Sequence, residues 1–576
     1  MAKNERNKVL TKNQRRKPIA AYWTPWGSIG DGSVNLTGSA HLFVVEYDDG
    51  SEYRTLTDCG IYQGPGSGEA NRGAFPLEPS SIHLALLTHG HADHCGRLPV
   101  FVKNGYPGEI WATALTAKVA RASLTDAAKL ALKQYESEQS AYAKKIADIK
   151  EALRIITESK AKGIKRASGG NRMAQTDQKK VSPAEAAVAQ EFLDRTGIEK
   201  SSDIPKVMES KRPNEPLFLP EDAEKAITRF KAEGMGVWIP LPGAPGVSVM
   251  FFDACHVLGS TSVAFRVHGI GEGREKSKTF VLSGDIGPTR EFQPHGTPVI
   301  PEGLHPDLIA VECTYGGRRH YDGKQGRPGS WGEVVSRLGD TVKDASRKRD
   351  ILVLPAFALD RAQIVLHLLV TLKQQGAFEG EIYLDSPLST IYTRMYQNYV
   401  PAYSKTLRSG PKTFKILEKN ERESVLSKPG FKIVVTSSGM GTGGPVGEYF
   451  RKHLENSRAE FLFTGYMAEG TPGRALTEGE KIITIPEIGA SFEVRAKIGR
   501  LDGLSSHADE SMVREWCGVG NPAGSGKAKA RFKDVRIALI HGETRTSIPA
   551  MKHAFGRRLF PEKQILTPLV GERVYL

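Results

Sequence analysis

Within six residues the chain offers three imidazoles and a carboxylate: His89, His91, Asp93 and His94. Nitrogen and oxygen donors of this kind suit first-row metals, and zinc accepts both. The alternate spacing lets His89 and His91 aim at one ion while Asp93 and His94 turn towards a second. Residues 82–87, just upstream, form an apolar run that reads as a short buried strand. The cluster therefore sits where a strand ends. Four donors this dense behind an apolar strand mark a metal site rather than an accidental polar turn.

Other metal-ligand residue types stand at the ends of apolar segments. Residues 39–47 and 53–57 read as a hairpin turned by Asp49-Gly50, and Asp58 follows its second strand. His256 follows a strand over 247–253, Asp285 one over 279–282, Glu312 one over 308–311, and His541 one over 535–540. A further strand is expected over 262–268, joined to 279–282 by a glycine-rich loop. One sheet edge is thus expected to be lined with ligand chemistry. His507 lies in Ser505-Ser506-His507-Ala508-Asp509. The scattered histidines, His41, His295 and His320 among them, read as structural.

At 576 residues the chain exceeds what one ordinary core needs, so two or more domains are expected. No apolar run approaches the roughly 18 residues of a membrane span. The first 17 residues are basic and polar, without the apolar centre of a signal peptide, and read as a disordered arm. Five scattered cysteines with no CxxC pair agree with a cytoplasmic protein. The net charge of +14 attracts polyanions, nucleic acid first.

A strand is expected over 109–112 and a long helix over 116–160. Leu132, Tyr135, Gln139, Tyr142, Ile146, Ile149, Leu153 and Ile156 form its heptad stripe. Residues 163–182 read as a flexible crossing, and 183–196 as a helix capped by Ser182 with Pro183 in its first turn. This region reads as an insertion packing on itself. Residues 221–233 read as one short amphipathic helix. From about 330 strands and helices alternate: strands over 351–355, 381–385, 432–437 and 460–464, and a helix over 361–374, the pattern of a parallel α/β sheet. Glycine-rich turns at 437–444 and 469–474 follow two of the strands. Ser437, Ser438, Gly439, Gly441, Gly443 and Gly444 are the candidate phosphate contacts, since such turns can present backbone N–H groups.

The set His89-x-His91-x-Asp93-His94, with Asp58 upstream and His256 and Asp285 downstream, resembles the metallo-β-lactamase fold. Glu312-Cys313-Thr314-Tyr315-Gly316, Pro355-Ala356-Phe357-Ala358, Asp385-Ser386-Pro387-Leu388, Ser438-Gly439-Met440, His507-Ala508-Asp509 and His541-Gly542-Glu543 resemble the motifs of its β-CASP branch. Within that branch, His94-Cys95-Gly96-Arg97-Leu98-Pro99 is similar to bacterial and archaeal RNA endonucleases related to the eukaryotic pre-mRNA 3′-end cleavage nuclease. The resemblance implies an αββα sandwich with an inserted α/β β-CASP domain and a helical insertion. The bounds expected are 18–316 and 506–576 for the sandwich, 317–505 for the β-CASP domain and about 137–214 for the insertion.

By the same resemblance, His89, His91 and His256 hold one zinc, Asp93, His94 and His541 hold the other, and Asp285 bridges. Asp58 orients the cluster, and Glu312 partners His507, the proton donor. His541 points to RNA rather than DNA. Asp360 and Pro445 depart from the pattern, standing where relatives commonly have glycine and arginine.

The chemistry so implied is hydrolysis of single-stranded RNA, endonucleolytic, by a hydroxide bridging two zinc ions, with manganese a substitute in vitro. It leaves 5′-phosphate and 3′-hydroxyl ends. A 5′-to-3′ exoribonuclease of the RNase J type, a DNA nuclease and a silent RNA-binding scaffold are the alternatives. A homo-oligomer, a dimer, is the expected assembly, with no membrane partner.

Overall fold

Short apolar strands with alternating side-chain directions build the two sheets that position the metal-ligand residues. In the computed structural model the described residues are 16–27, 38–63, 66–167, 181–270, 277–289, 291–292, 294–324, 326–485, 488–520, 529–532, 534–556 and 560–576. Most of the basic arm, the centre of the 163–182 crossing and residues 271–276 lie outside them. The chain divides into two compact units, residues 1–124 with 224–576, and residues 125–223.

In the first unit, one seven-stranded sheet runs in the order Val574–Tyr575, Pro18–Pro25, His41–Tyr47, Glu52–Thr57, Leu84–Leu86, Ile110–Thr113, Phe230–Glu233. Its hairpin pairs His41 with Thr57 and turns at Gly50, whose φ of 78° suits glycine. The second seven-stranded sheet runs Ile565–Leu566, Arg536–Ile540, Leu308–Glu312, Ser277–Leu282, Thr261–His268, Val247–Asp253, Ile239–Pro240. The two sheets meet through aromatic rings. Phe43 stacks on Phe265 at 4.3 Å and on Phe280 at 5.6 Å, and Trp23 lies 5.5 Å from Phe280. All four are essentially fully buried, each contributing about 1.5–3 kcal/mol by burial. The helices Glu510–Trp516 and Ser547–Gly556 cover the outer face of the second sheet, through Val513, Trp516 and Met551.

Two expectations are corrected. The strand-end ligand residues line two sheets rather than one: Asp58 and His89 follow strands of the first, and His256, Asp285, Glu312 and His541 belong to strand ends of the second. Residues 221–233 are not a single helix: Pro220–Ile227 is helical, and Phe230–Glu233 is a strand parallel to Ile110–Thr113. Thr228 Oγ1 donates to the Lys225 carbonyl at the helix end, and the Arg229 carbonyl accepts from Ile110 N–H, which draws the chain onto the sheet. Sheet pairing overrides a helical spacing that continues only weakly past Ile227.

The third sheet runs Lys415–Ile416, Glu381–Asp385, Lys432–Thr436, Ile351–Pro355, Ala459–Phe463, Lys497–Arg500, with every pair parallel. Its four inner strands are buried on both faces because helices cover both. Leu352 and Leu354 join a core with helices Trp331–Lys348 and Arg361–Gln374; Ile351 and Val353 join another with Val446–His453.

The second unit is built from most of a 54-residue helix, Ala114–Ala167, and from Pro183–Thr196. Ile149 and Leu153 of the stripe are buried with Leu193, Ile198, Ile204 and Met208, while Tyr142, Ile146 and Ile156 pack at the margin. Ser182 and Glu185 form a reciprocal capping box. Among the described residues, no helix is long and apolar enough to cross a membrane.

Candidate metal centre

Tight turns at the carboxyl ends of strands gather the ligand residues. Asp58, Cys255 and His541 have φ of 62°, 55° and 48°, left-handed conformations uncommon for residues with a side chain. Strain of this sort persists where the surroundings over-determine it, as at binding sites. Asp58 shows why here: its carboxylate accepts Thr88 N–H and Thr88 Oγ1–H, each at 2.8 Å, and meets His94 Nδ1 at 2.8 Å. The strand-end turn carrying Asp58 is thereby fastened to the one carrying the histidines.

The structure brings every expected ligand residue together. His89, His91, His256 and Asp285 form one group whose ligand atoms lie within 4.8 Å of one another, and Asp93, His94 and His541 form a second. His89 Nε2 is 3.1 Å and His256 Nε2 3.2 Å from His91 Nδ1. Asp285 divides its oxygens between the groups. Its Oδ2 is 3.6 Å from His89 Nε2 and 3.7 Å from His256 Nε2; its Oδ1 is 3.2 Å from His94 Nε2 and 3.5 Å from His541 Nδ1. A third group joins Asp285 to Glu312 and His507.

Electrostatics divide the ligand set: His94 and His541 are held above the ordinary histidine value, against burial, by Asp285 with Asp58 and Asp93 respectively, whereas the others suit cation binding. Burial, then the neighbouring His94 and His507 respectively, hold His89 and His256 well below the ordinary histidine pKa, so both are neutral with a lone pair to give. Burial would raise the Asp285 carboxyl, but His541 and His94 hold it well below the usual carboxylate range. His94 Nε2, Asp285 Oδ1 and His541 Nε2 are buried without a hydrogen-bond partner. Orphaned donor atoms this deep are expensive unless a ligand meets them. The residues therefore fit a divalent metal ion.

Outer partners fix the rings. Beyond Asp58 on His94, Thr88 Oγ1 lies 3.1 Å from His89 Nδ1, Ser506 O 2.7 Å from His256 Nδ1 and Thr314 Oγ1 3.1 Å from His541 Nδ1. Ser260 Oγ accepts His256 N–H at 2.9 Å. Sequence reasoning missed Thr88, Ser260 and Thr314, because a hydroxyl that orients a ligand has no spacing of its own. It also set aside His320, whose Nε2 is 2.8 Å from the carbonyl of His507. A histidine one residue-type short of any motif gives no signal.

His507 Nδ1 is 3.2 Å from Glu312 Oε2. Burial alone would lower its pKa, but attraction and hydrogen bonding to Glu312 outweigh that and push it up to about 9. Glu312 is itself anchored, accepting Ile286 N–H at 2.7 Å.

The expected phosphate loop lies at the end of strand Lys432–Thr436. Ser437 Oγ donates to Ser386 Oγ at 2.9 Å, Ser438 Oγ to Thr442 O at 2.5 Å, and Gly441 N–H to Ser438 O at 3.2 Å. Gly444, at φ 70°, packs so close that a Cβ would meet Ser437 O at 3.0 Å, and Gly439 packs against Phe357 N. Gly443 turns the loop at φ 62° with open space around it.

Comparison with known proteins agrees with this architecture. The family model of the metallo-beta-lactamase superfamily matches residues 38–133, and that of the Beta-Casp domain matches 362–476. Ribonuclease TTHA0252 of Thermus thermophilus is 26% identical over 518 residues, 88% of this chain and 91% of that protein. Transcription termination factor FttA of Thermococcus kodakarensis is 26% identical over 344 residues, and the match spans about half of its length (49%). An RNase J-like protein of Methanocaldococcus jannaschii is 29% identical over 276 residues, 46% of this chain and 60% of that protein.

Proposed function

Because this chain carries a metallo-beta-lactamase superfamily domain and a Beta-Casp domain, we propose that it is a metal-dependent ribonuclease. Its substrate is single-stranded RNA, cut internally to leave 5′-phosphate and 3′-hydroxyl ends. The observation that carries this reading is the division of Asp285 between two ligand groups, with the His507–Glu312 pair beside it. The similarity to a named ribonuclease over most of both chains supports RNA as the polymer.

In this reading His89, His91 and His256 would hold one zinc ion and Asp93, His94 and His541 a second, with the Asp285 carboxylate available to either group. Metal bound there supplies Lewis acidity, acidifying water towards neutrality and offsetting charge on a phosphoryl oxygen. The chain's own residues do the rest. Asp58 holds the His94 ring in the tautomer that turns Nε2 inward. Glu312 occupies His507 Nδ1 and keeps the imidazole protonated, which leaves Nε2 to give its proton to the departing oxygen. The 437–444 turn takes a flanking phosphate. With the hydroxyls of Ser437 and Ser438 and the Gly441 N–H engaged inside the turn, the backbone of Gly439, Gly443 and Gly444 is left to supply the contact. The domains in this proposal run 18–316 with 506–576, and 317–505, and the protein works in the cytoplasm as a dimer.

RNA labelled internally and at each end tests the reading, with metal-loaded wild type and His507→Ala compared. Internal cuts with 5′-phosphate ends, lost in the variant, are expected. Cyclic 2′,3′-phosphate ends would refute hydrolysis by water. Mononucleotides released from a 5′ end would replace the endonuclease with an exonuclease, and equal cutting of DNA would remove the RNA specificity.

A further inference from the structure

Helix Pro387–Tyr399 follows a strand of the third sheet and carries three tyrosines at spacings of four and three: Tyr392, Tyr396 and Tyr399. Such spacing puts them on one face of the helix. Tyr392 and Tyr396 are fully buried and share a core with Val119, Val257 and Leu258. Val257 and Leu258 follow the ligand residue His256 directly. Val119 lies on the His89-Gly90-His91 turn, where a Cβ on Gly90 would come within 2.6 Å of it. Apolar packing thus brings one helix face up to two ligand-bearing turns, and its hydroxyls complete the contact.

Each buried hydroxyl reaches a different turn. Ser123 Oγ donates to the Gly90 carbonyl at 2.7 Å and lies 2.6 Å from Tyr392 OH. With the serine proton given to Gly90, Tyr392 is the donor. Leu258 N–H donates to Tyr396 OH at 3.2 Å. The N–H groups of His256 and Val257 instead stay within their turn, both on Ser260 Oγ, at 2.9 and 3.2 Å. Tyr396 gives its own proton to Asp360 Oδ1 at 3.1 Å, an oxygen that also meets His295 Nε2 at 2.9 Å. Asp360 is fully buried at φ 68°, a conformation that favours glycine. The carboxylate kept there turns the tyrosine's lone pair to Leu258. Buried polar networks with their partners in place rigidify what they join. Both turns serve the same ligand group, that of His89, His91, His256 and Asp285. The second group is held from elsewhere: His94 by Asp58, the Asp93 carbonyl by Ser39 N–H and His541 by Thr314.

We propose that Tyr392 and Tyr396 are positioning residues for one of the two metal ions. They set the His89-Gly90-His91 turn against the His256 turn, so that three imidazoles converge on the same ion. This rests on the two-ion reading above. It makes affinity at that ion, and not at the other, a property of a helix that supplies no ligand.

The experiment strips the full-length protein of metal and titrates it with Zn²⁺ against a chelating dye. Wild type should take two ions. In the double variant Tyr392→Phe with Tyr396→Phe, which keeps both rings, one ion should bind roughly tenfold more weakly while the other holds. With Asp93→Ala added, the remaining ion should keep that dependence on the tyrosines; with His91→Ala added, it should lose it. Tyr399→Phe controls for packing, because its hydroxyl accepts from Lys118 Nζ rather than touching a turn, and it should leave both affinities unchanged. If the double variant does not fold, Ser123→Ala carries the test and should weaken the same ion. Equal weakening of both ions, the same weakening by Tyr399→Phe, or none at all overturns the proposal. If wild type binds one ion only, the two-ion reading has failed. The tyrosines then stand if that ion weakens in the double variant but not in Tyr399→Phe, and fall otherwise.

Discussion

Two sheet edges in this molecule end their strands in polar residues, and they treat those residues in opposite ways. The first is made by both seven-stranded sheets: Glu52–Thr57 and Leu84–Leu86 of one lead to Asp58 and His89, and Leu308–Glu312 and Arg536–Ile540 of the other to Glu312 and His541. There, buried donor atoms of His94, Asp285 and His541 find no hydrogen bond. At the second, strands Glu381–Asp385 and Lys432–Thr436 end in Asp385 and Ser437, and the polar atoms are consumed internally. Asp385 accepts Arg422 Nε at 2.6 Å, Arg422 Nη2 at 2.8 Å and Tyr449 OH at 2.6 Å. The lesson is that residue type at a strand end does not separate chemistry from scaffolding. What differs between these two edges is that three ligand residues of the first keep a buried atom without a hydrogen bond.

The sharpest break of this comparison is at Asp285. Asp285→Asn removes the charge that both ligand groups share. Cleavage should fall by at least about 10³-fold, and metal content per chain, read by atomic emission, should drop with it. Full metal content with full activity would mean that the orphaned atoms mark nothing. At the second edge the matching substitution is Arg422→Met, which strands the buried Asp385 charge. It should lower stability by about 3 kcal/mol, read in urea, while kcat of the protein that remains folded holds. A large fall in kcat at unchanged stability would make that edge catalytic after all.

These two edges were also unequally legible. His89 to His94 announce themselves because four ligands share one turn. Asp58, His256, Asp285, Glu312, His507 and His541 are far apart in sequence, and only their strand-end positions and the family's motif order joined them. Thr88, Ser260 and Thr314 stayed invisible, since hydroxyls orienting a ring follow no period. In the fold, the third sheet was readable from strand–helix alternation. Residues 228–233 were not, because a strand that docks by backbone pairing with Ile110–Thr113 needs no distinctive pattern.

Ser437→Ala probes the border between the two behaviours. Ser437 sits on the scaffold edge within the turn proposed to take phosphate. With its hydroxyl given to Ser386, the alanine variant should lose about 1 kcal/mol of stability. Its RNA affinity and the salt dependence of binding should stay near those of wild type. A large loss of affinity with an unchanged Tm would make the hydroxyl itself a phosphate contact, and the internal bond a resting arrangement.

The smallest effect tests whether unsatisfied burial elsewhere around the third sheet is merely tolerated. His453 closes helix Val446–His453, its ring 6.4 Å from Tyr449, and both of its nitrogens are buried without a hydrogen bond. Burial, then Lys452 and Lys432, lower its pKa to about 4 against the partial pull of Asp350. The folded-state pKa is thus depressed below the ordinary value of 6.5. Protons bind the unfolded chain first as pH falls, so stability is complete above 6.5 and erodes between there and about 4. His453→Phe keeps a ring against Tyr449 and abolishes both the titration and the orphaned atoms. It should melt no lower than wild type at pH 7.5 and a few degrees higher at pH 5. Parallel Tm curves would mean that His453 is protonated in the fold and its nitrogens are satisfied.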